Sequence, residues 1–171
     1  MTLHPIEINE FLARPVDIWH EGWFLLTAGS FSGRHYNTMT IEWGSFGYIW
    51  GRPLAQVAVR PTRYTYQFME DYDTFTLSAF PESYREALRQ LGSKTGRVGD
   101  KISEAGLRIV AASSVDAPTF AEAELVVECR KMYYTDINPA NFVLRDIDGA
   151  IYPKHDYHRL YYGEILAIQG K

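Results

Sequence analysis

"YNTMTIEWGSFGYIWGRP", residues 36–53, places an amide and two hydroxyls within four residues (Asn37, Thr38, Thr40) and follows them with glycines interleaved among aromatics. A core strand would carry fewer glycines. A surface loop would not be expected to expose Trp43, Phe46, Tyr48 and Trp50. One arrangement satisfies both halves: backbone and small polar groups close on a flat ligand, and the aromatics wall it in.

The flanking segments read mainly as strands. Upstream, "GWFLLTAGS" is a short buried strand ended by Gly29 and Ser30. Downstream, "PLAQVAVR" (53–60) and "DTFTLSAF" (73–80) alternate, with Phe75, Leu77 and Ala79 on one face. "EAELVVECRKMYY" alternates further: Leu125, Val127 and Cys129 face one way, Glu124, Glu128 and Arg130 the other. "HRLYYGEILAIQ" supplies a last strand. Two short helices are expected. "TRYTYQFMED" opens after Pro61 with Thr62 as its cap, and "PESYREALRQLG" starts on Pro81, stripes Tyr84, Leu88 and Leu91, and stops at Gly92. Strands in an order that does not repeat β-α-β argue for a mainly β (α+β) antiparallel barrel with helices outside it.

At 171 residues the chain is expected to form one domain, residues 1–171, burying roughly 70% of its unfolded surface. No repeat or linker divides it, and "AASSVDAPT" (111–119) reads as a surface loop. A net charge of −4 without a long basic run argues against nucleic acid. No apolar run approaches the ~20 residues of a membrane span, and the N-terminus lacks an apolar signal core. Cys129 stands alone, so no intrachain disulfide forms, and a cytoplasmic location is the expectation. The aromatic share of 15% suits a ligand wall or a subunit interface.

The usual signatures are absent. "GSFGYIWG" lacks Gly-x-Gly-x-x-Gly spacing, and no Gly sits five residues before Gly92 to make "GSKTG" a nucleotide loop. "LGSKTGRVGDK" (91–101) does gather hydroxyls, glycines and the cations Lys94, Arg97 and Lys101 after a helix. It reads either as an anion-binding turn or as a solvated turn between helices. "VRPTRYT" (59–65) leaves the same choice, between an anion site at a helix N-terminus and a capped helix with incidental arginines. In "HDYH" (155–158), read as strand, only Asp156 and His158 share a face, too few ligands for a metal. His158 reads as a hydrogen-bonding histidine at a pocket or interface. Glu122, Glu124 and Glu128 read as a solvated strand face, and Cys129 as a buried inert thiol.

Taken in order, "NTMTIEWGSFG", "VAVRPTRYT", "FTLSAF", "GSKTGRVGDK", "AGL", "EAELVVECR" and "HDYHRLYYGEIL" resemble the flavin reductase-like, FMN-binding split-barrel family, which includes flavoredoxin. The resemblance covers nearly the whole chain. It implies a six-stranded antiparallel Greek-key split barrel with peripheral helices, a homodimer, and FMN near the subunit interface. By resemblance, Asn37, Thr38, Met39, Thr40, Trp43, Gly44 and Ser45 line the flavin ring. Arg60, Arg63 and Thr65 lie near its phosphate, with Ser93, Lys94 and Arg97 as a second anion-binding turn. His158 lies near the flavin or the reduced nicotinamide. No protein acid or base is required, because flavin carries the redox chemistry. Two functions are implied: an NAD(P)H-dependent flavin reductase, or a non-enzymatic FMN electron carrier passing electrons to a redox partner protein.

Overall fold

The computed structural model describes residues 2–171. Ten strands are β1 His4–Ile6, β2 Phe24–Ser30, β3 His35–Ile41, β4 Gly44–Ile49, β5 Arg52–Val59, β6 Thr74–Ala79, β7 Ile109–Val110, β8 Thr119–Phe120, β9 Leu125–Asp136 and β10 Arg159–Gly170. The helices are α1 Pro15–Asp17, α2 Tyr64–Asp71, α3 Arg85–Ser93, α4 Lys101–Glu104 and α5 Asp146–Ile151.

Eight strands form one sheet in the order β3-β2-β6-β9-β10-β5-β4, with β1 also paired to β10; β7 and β8 form a separate pair. Every pairing is antiparallel. The strands outnumber the six expected, while the architecture is the expected split barrel. Its shape follows from connectivity. β3 and β4 stand at opposite ends of the strand order, yet only Glu42 and Trp43 separate them in sequence. Two residues between strand ends reach about 11 Å at most, so the sheet curls until its edges nearly meet. The seam between β3 and β4 is the split.

Both faces of the central strands are covered. Phe24, Leu26, Val57, Val59, Phe75, Leu77, Val127 and Tyr161 fill the main core. Leu25, Phe80, Leu88, Leu91, Ile102, Phe120 and Val126 form a second cluster beneath α3 and the β7–β8 pair. Period 2 explains the division: Leu26 and Leu25 on β2, like Val127 and Val126 on β9, point to opposite sides.

That second layer corrects the reading of Glu128. Its carboxylate is fully buried and accepts from the Ser113 amide (2.9 Å), the Ser113 hydroxyl (2.8 Å) and the Ser114 amide (2.6 Å), pinning the 111–119 loop. Glu122 is also partly covered and pairs with Arg108. Strand alternation assigns Glu128 its face correctly, but the folded-back loop makes that face interior, while Glu122 lies in the turn before β9 and not on the strand. Beside Glu128, burial raises the Cys129 thiol above its ordinary pKa, which leaves it unreactive.

Local boundaries also shift. α2 begins after Arg63, whose side chain makes no capping bond, and Thr62 does not cap it. Residues Glu82–Tyr84 form a 3-10 turn before α3, which runs past Gly92 to Ser93. His155 lies in a turn at φ 54°, and β10 starts only at Arg159, so "HDYH" is not a strand. No helix among the described residues is long and apolar enough to cross a membrane.

Candidate functional site: a two-lobed cleft at the split

At the β3–β4 seam lies a cavity of about 420 Å³, lined by Met39, Thr40, Ile41, Glu42, Trp43, Ala58, Arg60, Thr62, Arg63, Asp156 and His158. A smaller lobe of about 100 Å³ shares Met39, Thr62 and Arg63 with it. Asn37, Tyr64, Thr65, Leu91, Gly92, Ser93, Lys94, Thr95, Gly96, Arg97 and Lys101 complete the smaller lobe. Arg63 therefore stands where the two meet. Strand β3, the β5–α2 turn and the α3–α4 loop each bring their residues to this place because the curled sheet puts its edge beside both.

The larger lobe has an aromatic wall and a fixed polar corner. The Trp43 and His158 rings lie 4.8 Å apart, tilted by 45°. His158 is only 8% exposed, and its Nδ1 shares a 2.9 Å hydrogen bond with the Tyr152 hydroxyl. Burial first, and then the neighbouring Arg60 and Arg63 against the opposing pull of Asp156, bring its pKa down to about 4. The imidazole is therefore neutral at pH 7, suited to orienting a ligand rather than to donating a stored proton. Arg60 donates from Nη1 to both Asp156 oxygens (2.9 and 2.8 Å) and from Nη2 to the Ile151 carbonyl (3.0 Å). Its charge is already matched.

The smaller lobe is cationic. Arg63 makes one 3.2 Å contact to the Gly92 carbonyl, Arg97 sits 4.8 Å over the Tyr64 ring, and neither has a carboxylate partner among the described residues. Lys94, by contrast, is paired with Glu104 at 3.0 Å. Asn37 Nδ2 donates to Thr65 Oγ1 (2.8 Å), tying β3 to the first turn of α2. A Cβ on Gly96 would run into Asn37 Oδ1, so glycine there lets the loop backbone approach β3.

Of the residues singled out in the sequence, Met39, Thr40, Trp43, Arg60, Arg63 and His158 meet around the larger lobe. Asn37, Met39, Arg63, Thr65, Ser93, Lys94 and Arg97 meet around the smaller one. Three line neither lobe. Thr38 is fully buried, accepting from Thr27 Oγ1 (2.9 Å) and donating to the Leu26 carbonyl (3.1 Å). Gly44 makes room for the Trp19 ring, and the Ser45 hydroxyl donates to Gln56 Oε1 (3.2 Å). The expected aromatic wall also shrinks. Phe46 packs into the core against Trp19 and Phe24, and Trp50 stands exposed with Tyr133 and Tyr162. Lys101 reads in the sequence as one of the loop's three cations, alongside Lys94 and Arg97; its burial sets it apart from them. No group of three or more potential metal ligands occurs among the described residues.

The split-barrel fold has known relatives. A model of the flavin reductase-like domain matches residues 20–170, and the chain belongs to that family. Among solved structures, an FMN-binding domain of a flavin reductases-like enzyme from Shewanella baltica superposes with a TM-score of 0.69 at 16% identity, covering 99% of this chain and 77% of that one. Flavoredoxin of Desulfovibrio vulgaris gives 0.67 at 22% identity (97% and 76%). An NADH:FAD oxidoreductase of Streptomyces globisporus gives 0.64 at 18% (86% and 74%). At these identities the likeness establishes the fold. An uncharacterized protein of Aeropyrum pernix is 35% identical over 77 residues, which span 44% of this chain and 29% of that protein.

Proposed function

We propose that this chain binds FMN in the two-lobed cleft and acts as an NAD(P)H-dependent flavin reductase. The observation that carries the reading is that the two lobes border one another at Met39, Thr62 and Arg63: the larger is walled by Trp43, Met39 and neutral His158, and the smaller carries Arg63 and Arg97 without carboxylate partners. Such a pair of lobes fits a flat ring bearing a phosphate tail. The names of structural relatives point the same way, since they include an FMN-binding domain and an NADH:FAD oxidoreductase.

When bound, FMN supplies the redox chemistry, taking hydride from a reduced nicotinamide. The protein's part is positioning. Arg63 and Arg97, with Thr65 and Ser93, hold the anionic end. Trp43 and Met39 cover apolar ring surface. His158, held by Tyr152, presents a fixed imidazole edge, and the Arg60–Asp156 pair stiffens the wall behind it.

Anaerobic stopped-flow mixing of the FMN-loaded protein with NADH and NADPH tests this. Bleaching of the flavin band by at least one nicotinamide is expected. His158→Ala should slow that bleaching about tenfold or more while FMN affinity changes less than threefold, the pattern of an orienting group. A wild-type protein reduced by dithionite but by neither nicotinamide would instead be an electron carrier.

A further inference from the structure

We propose that a third cavity, between β3 and the end of α3 and faced by Trp23, takes the adenosine diphosphate half of the reduced nicotinamide dinucleotide. The inference rests on the reductase reading above. With the flavin in the two lobes, the reacting ring of the hydride donor must approach through the larger one. The rest of the dinucleotide then needs a place beside that lobe. A cavity of about 380 Å³ adjoins it there, sharing Thr40, Ile41, Glu42 and Arg63.

Ile41, Leu88 and the Trp23 ring give this cavity an apolar side, and the first two are almost fully buried. Its back is fixed. The Thr40 hydroxyl donates to the Leu88 carbonyl, and a Cβ on Gly92 would come within 3.1 Å of the Thr40 Cβ, so α3 lies close against β3. Trp23 is the unusual member. Its backbone adopts φ 59° and ψ 156°, a combination left almost entirely to glycine. Neighbours hold it there: the Arg85 guanidinium lies 4.3 Å over the ring centroid. Arg85 is itself anchored by the Glu82 carboxylate (3.3 and 3.0 Å) and the Glu21 carbonyl. Glycine would follow the same chain path without strain. A bulky ring retained in that conformation on a cavity wall marks a site for a flat partner.

The polar groups suit adenosine diphosphate. Glu42 pairs with no cation among the described residues, leaving its carboxylate to accept from the exocyclic amine of an adenine stacked on Trp23. Arg63 is given to the anionic end of the flavin. Arg89 is the cation left for the pyrophosphate. Its partner Glu86 forms an exposed pair with it, the side chains 60% and 79% exposed, and such pairs contribute little. FAD carries the same adenosine diphosphate group, and the cavity also touches the smaller lobe at Gly92 and Ser93. The dinucleotide is favoured because the border with the larger lobe is the one its reacting ring must cross.

The test compares wild type, W23G, W23F and R89A, each loaded with FMN. Calorimetric titration with ADP-ribose, which cannot reduce flavin, reads the cavity directly. Stopped-flow bleaching by NADH or NADPH and by reduced nicotinamide mononucleotide, which lacks the adenosine, reads its use. W23G should weaken ADP-ribose and the dinucleotide about 5- to 100-fold while changing the mononucleotide and FMN less than twofold. W23F should retain most of the affinity, and R89A should lose about three- to tenfold, less at high salt. A merely structural Trp23 would weaken both nicotinamides alike, and that result overturns the proposal. Should W23G fail to fold, ADP-ribose affinity unchanged in both W23F and R89A overturns it as well. A W23G loss confined to FAD overturns it and assigns the cavity to a flavin adenylate. FMN binding without ADP-ribose binding in wild type refutes this inference alone, whereas absence of FMN binding refutes the flavin reading and this inference with it.

Discussion

Gly163→Ala is expected to destabilise the protein by about 2–4 kcal/mol, lowering its melting temperature by roughly 5–15 °C for a chain of this size. Gly163 sits on β10 between Ala55 of β5 and Lys131 of β9, at a register shift in the β9–β10 ladder. Its φ is not in the left-handed region, so alanine is not excluded by its backbone. The obstacle is steric. A Cβ there would lie 2.6 Å from both Cε1 and Cζ of Phe75 and 2.9 Å from the Cβ of Cys129. Phe75 and Cys129 are fully buried in the main core, so neither can swing into solvent. Adding Phe75→Leu to the alanine variant should recover part of the loss, although Phe75→Leu alone is destabilising, so the double variant should be less destabilised than the sum of the two single changes. A methyl group on Gly47 of β4 would meet nothing within 4 Å, and the Gly47→Ala variant should melt within about 2 °C of wild type. Equal melting temperatures for the two alanine variants would contradict the packing described for β10.

Arg63→Ala should weaken FMN binding about 10- to 100-fold, the value of one charge-assisted contact of roughly 1.5–3 kcal/mol. Its guanidinium borders both lobes and spends only one 3.2 Å contact on the protein itself, to the Gly92 carbonyl. Folding should consequently be little changed, within about 0.5 kcal/mol. Arg63→Lys keeps the charge but loses the planar fork, and should fall between. The equivalent change at Lys94 should do less, because Glu104 already pairs with it. Flavin titrations that leave Arg63→Ala at wild-type affinity would place the anion site elsewhere.

Features governed by short-range pattern are legible in the sequence. Period-2 alternation marks β5, β6 and β9, and the Leu88/Leu91 stripe sets α3 against the core. Ordered motifs draw Met39, Trp43, Arg63 and His158 into one set, and they do meet around the larger lobe. What escapes depends on partners distant in sequence. Nothing near Arg60 announces Asp156, 96 residues on, so its charge reads as available. Glu128 reads as solvated because alternation assigns a face without saying what covers it. Lys101 reads as one loop cation among three, and its burial under α3 arises only when α3 and α4 pack together. Trp50 and Tyr48 read as ligand walls because aromatic rings are usually covered, yet both are exposed and line neither lobe.

FMN binding itself is decided by adding FMN to the purified protein and following both flavin fluorescence and bound chromophore after gel filtration, with the chromophore identified on denaturation. Saturable binding of one FMN per chain is expected, with the released chromophore identified as FMN. A protein that emerges colourless and leaves FMN fluorescence unchanged at tens of micromolar would contradict the assignment of the two-lobed cleft to a flavin.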